Sequence, residues 1–487
     1  MSNSLRKFTL NVGWAFSSTA VAAVIGFGLN LVIGNSLGPE GLGLYGIVLT
    51  VYLVGTMAAA IGLPSALIKY SAEYQHEPEK LDSMVSTVLL LSTPLGLLTG
   101  LGIFALAGFT GRLLDMPALP ALLRTLAIVF PFFMVNKTFL ALLNGLRLMH
   151  IVSPAESLRY VLMLAFTLLL ITKGYGVRGA VYAMILPEFL LLPLLVFFAR
   201  KHYRPRLKDL WATTRTLTAF GLQTFLGNVI DNIGTRLNLF LIGYFLTASE
   251  VGIFTTVTMF YTGLIILPAA VQRITNPTIS AHHGSNDLAA ITRTVNQVMK
   301  YTMILLGIIS IFFIVFIRPV IHIAYPNQPR FLDAVPPLTI LMFSWTSYGA
   351  MSAIGSAPAS MGQPRWNVVY AVVSLCVGLI LNVLLVPRLG INGSAVATSI
   401  TNVLAPSLFI YILKKALRIH VQLTTLIKLF LISVSLDLLA LLGSYLGFHP
   451  LILALPVAVL YAGSLVLAGI VGHQDIALLQ RILKSTQ

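Results

Sequence analysis

The sequence predicts an all-α polytopic membrane protein of about 14 transmembrane helices. These form two six-helix bundles related by a parallel pseudo-two-fold repeat, with two further helices at the C-terminal end. Three observations carry this. Of 487 residues, 57% are hydrophobic and only 9% charged, against about a quarter charged in a soluble domain, so lipid must solvate most of the chain. The apolar runs are close to the roughly 20 residues a helix needs to cross a bilayer, whereas barrel strands would run about 10 residues with period two. The third observation is a repeat of residue pattern between the two halves.

In chain order the apolar runs are 8–33, 41–68, 84–108, 121–143, 155–171 and 180–199, then 217–245, 251–271, 301–317, 335–357, 368–386, 394–413, 426–446 and 451–471. The fifth is the weakest, being short and carrying Glu156 and Arg159 at one end. Arg6 and Lys7 precede the first run, and no small-residue cleavage site followed by a soluble domain comes after it, so it reads as an anchor that stays. The single cysteine, Cys376, lies in an apolar run and reads as helix packing.

With the N-terminus cytoplasmic, 22 of the 31 lysines and arginines fall on the inner side and 7 on the outer, with Lys137 and Arg236 inside the membrane. That bias supports this orientation and an even helix count, so a multi-pass plasma-membrane protein with both termini cytoplasmic is expected. It also explains most of the net charge of +16 as topology and affinity for anionic lipid, so no nucleic acid is needed as a partner.

The seventh run, 217–245, carries an unusual polar load. At about 100° per residue, Asn228, Asp231, Asn232 and Thr235 share one face, with Arg236 and Asn238 at its edges. An acid near mid-membrane costs on the order of 2.5–3.5 kcal/mol, so this face meets protein or water. Two readings stand: a polar seam joining helices, or the wall of a water-filled cavity.

The repeat places Leu37, Gly43, Tyr45, Tyr52 and Ser71-Ala72 at an offset of 209 from Leu246, Gly252, Phe254, Tyr261 and Ser280-Ala281. Gly176, Gly179 and Ala183 recur at an offset of 214 as Gly390, Gly393 and Ala397. Six helices separate the copies, so both have the same membrane orientation. The expected division is 1–205 for the N-terminal lobe, 206–420 for the C-terminal lobe, and 421–487 for helices thirteen and fourteen with a cytoplasmic tail.

The run Leu37-Gly38-Pro39-Glu40-Gly41-Leu42-Gly43-Leu44-Tyr45-Gly46, opening the second helix, resembles the hallmark of the polysaccharide and O-antigen flippases. These belong to the multidrug/oligosaccharidyl-lipid/polysaccharide exporter superfamily. Gly243 through Phe254, followed by Pro268, Pro277 and Ser280, echoes it in the second half. The resemblance spans about residues 5–415. It implies a flippase that carries a polyprenyl-(pyro)phosphate-linked oligosaccharide from the inner to the outer leaflet by alternating access, with no enzymatic step. Lipid-linked oligosaccharide and membrane lipid would be its partners, alongside other glycan-assembly proteins. The runner-up is a cation-coupled drug exporter of the same superfamily, but the acid many such exporters carry on helix one has no counterpart in 8–33. A lipid-dependent glycosyltransferase would need acids in a sizeable outer loop, and the loop 34–40 holds one.

Other motifs fall away. Gly41-x-Gly43-x-x-Gly46 mimics a dinucleotide fingerprint but follows no strand and has no acid about 20 residues on. Gly96-x-x-x-Gly100 signals close helix packing. The nine histidines lack metal-ligand spacing, so neither metal nor cofactor is expected. The charges within the membrane carry more. A lipid-linked phosphate suits cations along a cavity, which makes Lys137, Arg236, Asn228, Asn232, Asn144, Arg124 and Arg273 the candidate substrate contacts. Arg273 and Lys69 also fit snorkelling anchors at inner helix ends. Lys137 and Arg236 fit an ion pair with Asp231 as well, and Asp231 is the candidate coupling residue. Coupling to a sodium or proton gradient, or to membrane potential, is left open by the residues. Glu188 and Asp437 are further acids within the membrane, each open to a structural or a functional role.

Overall fold

The computed structural model describes residues 2–472 and 475, with side chains at all of these except 2–9, 12, 226–233 and 235. Helix dominates, and no strand occurs among the described residues. The chain separates into two compact units, Met1–Thr256 and Val257–Gln487.

In the first unit, α1 (Ser2–Ala60) is two helices in series, broken at Gly38 with φ 68 and ψ −174. That backbone region is open essentially to glycine alone. Pro39 follows at once, where its fixed φ and missing N–H suit the first turn of a new helix. The chain therefore turns without the loop expected at 34–40. Next come α2 (Leu63–Glu73), α3 (Pro78–Leu113), α4 (Leu119–Leu126), α5 (Val129–Gly145), α6 (Met149–Thr172), α7 (Gly176–Ala199) and α8 (Leu210–Phe245). Gly96 and Gly100 of α3 let the backbone of α4 and α5 close in. A methyl on Gly96 would stand 2.8 Å from the Phe130 carbonyl oxygen, and one on Gly100 2.5 Å from that of Ala127.

The segment joining α7 to α8 lies along α3. Arg204 N–H donates to Asp82 Oδ1 at 2.9 Å, Arg206 N–H to Ser86 Oγ at 2.9 Å, and Ser83 Oγ to the Lys208 carbonyl at 2.6 Å. An apolar core fills this end of the unit, with Leu67, Val85, Leu142, Leu143 and Leu195 each inaccessible to solvent.

α9 (Ala248–Gly284) begins in the first unit and continues into the second. Its start meets α1 reciprocally. A methyl on Gly43 would overlap the Ala248 carbonyl oxygen and stand 2.8 Å from Gly252 N. A methyl on Gly252 would overlap the Pro39 carbonyl oxygen and stand 2.9 Å from Gly43 N. Pro39 and Ala248 are 209 apart, as are Gly43 and Gly252, so each copy of the motif presses on the other through the same atoms. A two-fold relation between the copies requires that reciprocity.

The second unit continues through α10 (Leu288–Ala324), a 3-10 turn (Pro329–Ala334), α11 (Val335–Ile354), α12 (Ala357–Ser360), α13 (Arg365–Leu389), α14 (Ile391–Lys415), α15 (Leu423–Tyr445) and α16 (Pro450–Leu467). Among the described residues, 11 helices are long and apolar enough to cross a membrane. Counting α1 twice at its break, and adding α8 and α11, is consistent with fourteen spans.

Candidate functional site

Polar side chains that five helices carry into the membrane meet in one cavity of about 630 Å³ in the first unit. α1 supplies Ser18, Thr19, Asn30, Tyr45, Tyr52 and Thr56; α5 supplies Phe133 and Lys137; α6 supplies Glu156, Arg159, Tyr160 and Met163; α7 supplies Met184, Pro187 and Glu188; and α8 supplies Arg236. On α6, Glu156, Arg159, Tyr160 and Met163 follow i, i+3, i+4, i+7 spacing, which sets all four on one face. The helix begins at Met149, so Arg159 is ten residues along, roughly 15 Å from its start.

Glu188 is the anchor of the site. Its side chain is 1% exposed, and its Oε1 lies 2.8 Å from Arg159 Nε. Asn136 Nδ2 donates both to Glu188 Oε2 and to the Glu188 backbone oxygen, each at 2.8 Å. Both hydrogens of one amide thereby hold one acid, fixing α5 to α7. The Arg159 guanidinium also lies over the Phe133 ring at 5.7 Å, within cation–π range. Its buried Nη2 finds no hydrogen-bond partner among the described residues, and neither does the Asn30 Oδ1. A buried guanidinium donor left open is costly, and an anionic ligand would satisfy it.

Lys137 and Arg236 are both half-buried, and neither forms an ion pair among the described residues. With Arg159 they give, among the described residues, three cations on the cavity wall against two acids, Glu156 and Glu188, and Glu188 is already committed. The surplus is positive. The arrangement can take a compact anion, with Asn30 and the Ser18, Thr19 and Thr56 hydroxyls available to hydroxylated groups.

The sequence-derived candidates distribute unevenly around this cavity. Lys137 and Arg236 line it. The side chains of Asn228, Asp231, Asn232 and Thr235 lie outside the described residues, so their facing and any pair with Asp231 rest on the sequence. Asn144 is half-buried near the far end of α5, away from the lining. Arg124 is exposed on α4, its guanidinium 5.6 Å from the Phe104 ring. Arg273 is exposed in the second unit. Lys69 sits over the Tyr70 and Phe220 rings at 4.6 and 4.5 Å. Sequence reasoning missed Arg159, Glu156, Asn136 and Asn30. The signal available for the first two was the i, i+3 acid–base pair at the head of an apolar run.

A helical multi-pass fold with a polar, cation-lined cavity inside one unit defines the class of membrane protein to which carriers of polar and lipid-linked solutes belong. The chain belongs to the polysaccharide biosynthesis protein family, whose model matches residues 13–336. A putative O-antigen transporter of Shigella flexneri is 22% identical over 402 residues, covering 80% of this chain and 93% of that protein. Stage V sporulation protein B of Bacillus subtilis (strain 168) is 25% identical over 439 residues, covering 82% of each. Among solved structures, lipid II flippase MurJ in an inward closed conformation superposes with a TM-score of 0.74 at 16% identity, covering 94% of this chain and all of that one.

Proposed function

We propose that this chain is a flippase. It moves a polyprenyl-(pyro)phosphate-linked oligosaccharide from the inner to the outer leaflet by alternating access, for cell-surface polysaccharide or glycan synthesis. The observation that carries the reading is the convergence of Lys137, Arg159 and Arg236 on one cavity, within a family of polysaccharide biosynthesis proteins. A phosphate entering the membrane must exchange its hydration shell for fixed donors, and cations on a low-dielectric wall supply them. The polar side chains of α1 meet the sugar while the polyprenyl tail stays in lipid. The lobes are 1–205 and 206–420, with 421–487 forming the added helix pair and tail, and both termini cytoplasmic. Asp231 is the protonatable or sodium-binding coupling residue, and other glycan-assembly proteins hand over and receive the substrate.

That the described residues α1 brings to the cavity are all neutral weighs against a drug exporter with an acid on its first helix. The test is the lipid-linked sugar on the inner leaflet, measured in cells depleted of the protein and complemented with variants. Alanine at Lys137 or Arg236 should leave folded yield intact and let the lipid-linked sugar accumulate, while Lys137→Arg and Arg236→Lys retain partial transport. If Asp231→Ala restores transport to either alanine variant, the two cations serve an ion pair and the phosphate contact is refuted.

A further inference from the structure

A second buried acid lies far along the sequence from the cavity, in the second unit. Asp437 of α15 is 1% exposed. α15 packs on α10 and α11, and α16 packs on α15 and α10. Ser310 Oγ of α10 stands 2.9 Å from Asp437 Oδ1, 3.2 Å from Oδ2 and 3.0 Å from the Gly307 carbonyl oxygen. From α16 the Tyr461 hydroxyl donates to the Ile304 carbonyl at 3.2 Å. Gly307 makes the junction possible, because a methyl there would overlap that hydroxyl and stand 2.8 Å from Ser433 Oγ.

The hydrogens decide the state of the acid. Ser310 has one hydroxyl hydrogen, and three acceptor oxygens surround it. No ion pair forms at Asp437 among the described residues. The cations of the packed helices stand well away. Lys300 is ten residues before Ser310 on α10, roughly 15 Å along the axis, and is already bound to Asp475. Arg318 is eight residues beyond Ser310, roughly 12 Å, and exposed; Arg293 and His322 are farther still. Lys428 precedes Asp437 by nine residues on α15, roughly 14 Å. The remaining titratable groups of these helices are hydroxyls: Tyr461 on α16, Tyr348 on α11, Tyr445 at the exposed end of α15, and Tyr301 on α10, which is held by Asp475.

An ionised Asp437 would be a buried charge served, among the described residues, by a single shared hydrogen, which is among the costliest arrangements in a protein interior. One added hydrogen completes the set. The acid O–H donates to Ser310 Oγ, and the Ser310 hydroxyl donates to the Gly307 carbonyl. We propose that Asp437 is a proton-binding site, a carboxylic acid that keeps its hydrogen inside the membrane and uses it to join α15 to α10. The proton is resident, and the site stands independently of the transport reading.

Infrared spectroscopy of the full chain in lipid nanodiscs at pH 7 tests this without any substrate. The difference between wild type and Asp437→Asn should contain a protonated-carboxyl C=O band, and Ser310→Ala should shift that band by removing its partner. Asparagine reproduces the neutral acid, with an N–H for Ser310, so Asp437→Asn should match wild type in folded yield within about twofold. Asp437→Ala, which leaves Ser310 facing a void, should fall well below it. Carboxylate bands in place of the acid band would overturn the proposal, and so would an asparagine variant that folds but yields no more than the alanine one. Should both fail to fold, an unshifted acid band in Ser310→Ala overturns it, and a shifted one upholds it.

Discussion

Arg159 and Glu188 show what a charge inside a membrane needs in order to persist. The acid is held by two partners and the base by an acid and an aromatic face, with the Arg159 Nη2 left open toward a ligand. Removing one member strands the other, at a cost of roughly 3–5 kcal/mol. Arg159→Ala should therefore lower the unfolding temperature of purified protein, and Arg159→Ala/Glu188→Gln should recover most of the loss. A double variant no better than the single one would show that the pair does not hold α6 to α7. Lys137 and Arg236 were legible in the sequence because each is a cation well inside a long apolar run. Arg159 was not, for a physical reason: residues facing a polar cavity lower the local hydropathy and shorten the apparent span. The run seemed to begin at Ala155, which put Arg159 at the membrane edge, whereas the helix begins at Met149.

Among the elements, the break in α1 is set by one residue. Gly38→Ala should destabilise by about 1–3 kcal/mol, the cost of a side chain in a glycine-only backbone region. Gly28→Ala, in the same helix with open space around it, should be neutral or slightly stabilising in the same denaturation series. Equal effects would show that the break does not depend on Gly38. The glycine-proline pair was legible as a turn, but the absence of a loop was not, since composition cannot separate a tight break from a short connection.

The segment after α16 ends in a second local device. Burial alone would raise the Asp475 carboxyl, but the Gly472 N–H, the Tyr301 hydroxyl and Lys300 outweigh it and hold it down at about 2. A depressed acid contributes stability above its unfolded value of about 3.9, and that contribution is lost as pH falls through the folded value. Protection of the Gly472 amide, its exchange relative to the intrinsic rate at each pH, should therefore persist at neutral pH and be lost between about pH 4 and 2. Lys300→Ala should move that window toward higher pH; an unmoved window would remove Lys300 from the device.

At the scale of the molecule, the proposed topology fixes which side each connection faces. A cysteine at Ala212, in a Cys376→Ala background, should resist membrane-impermeant labelling from outside intact cells, and one at Asn327 should accept it. The reverse pattern would invert the whole assignment and the inner-leaflet entry with it. The two motif copies offer a further test. Gly43→Ala and Gly252→Ala each force the same pair of backbones apart, so the double variant should cost clearly less than the two singles added together. Strict additivity in folded yield or melting would mean the two glycines do not share one contact.

That contact bears on descent. A surface whose residues meet their own repeats is one that a half-length chain can offer to a second copy of itself, as isologous dimers do. In such a dimer one altered codon changes both sides of the contact together, and any charge in the wall appears twice. Once the halves are fused, the codons separate. The two copies differ in charge: the positions matching Lys137 at either repeat offset fall within Thr346–Met351, and those matching Arg159 within Val368–Val373, and neither stretch holds a charge. The two glycines have no such freedom, because each is the space into which the other's backbone fits.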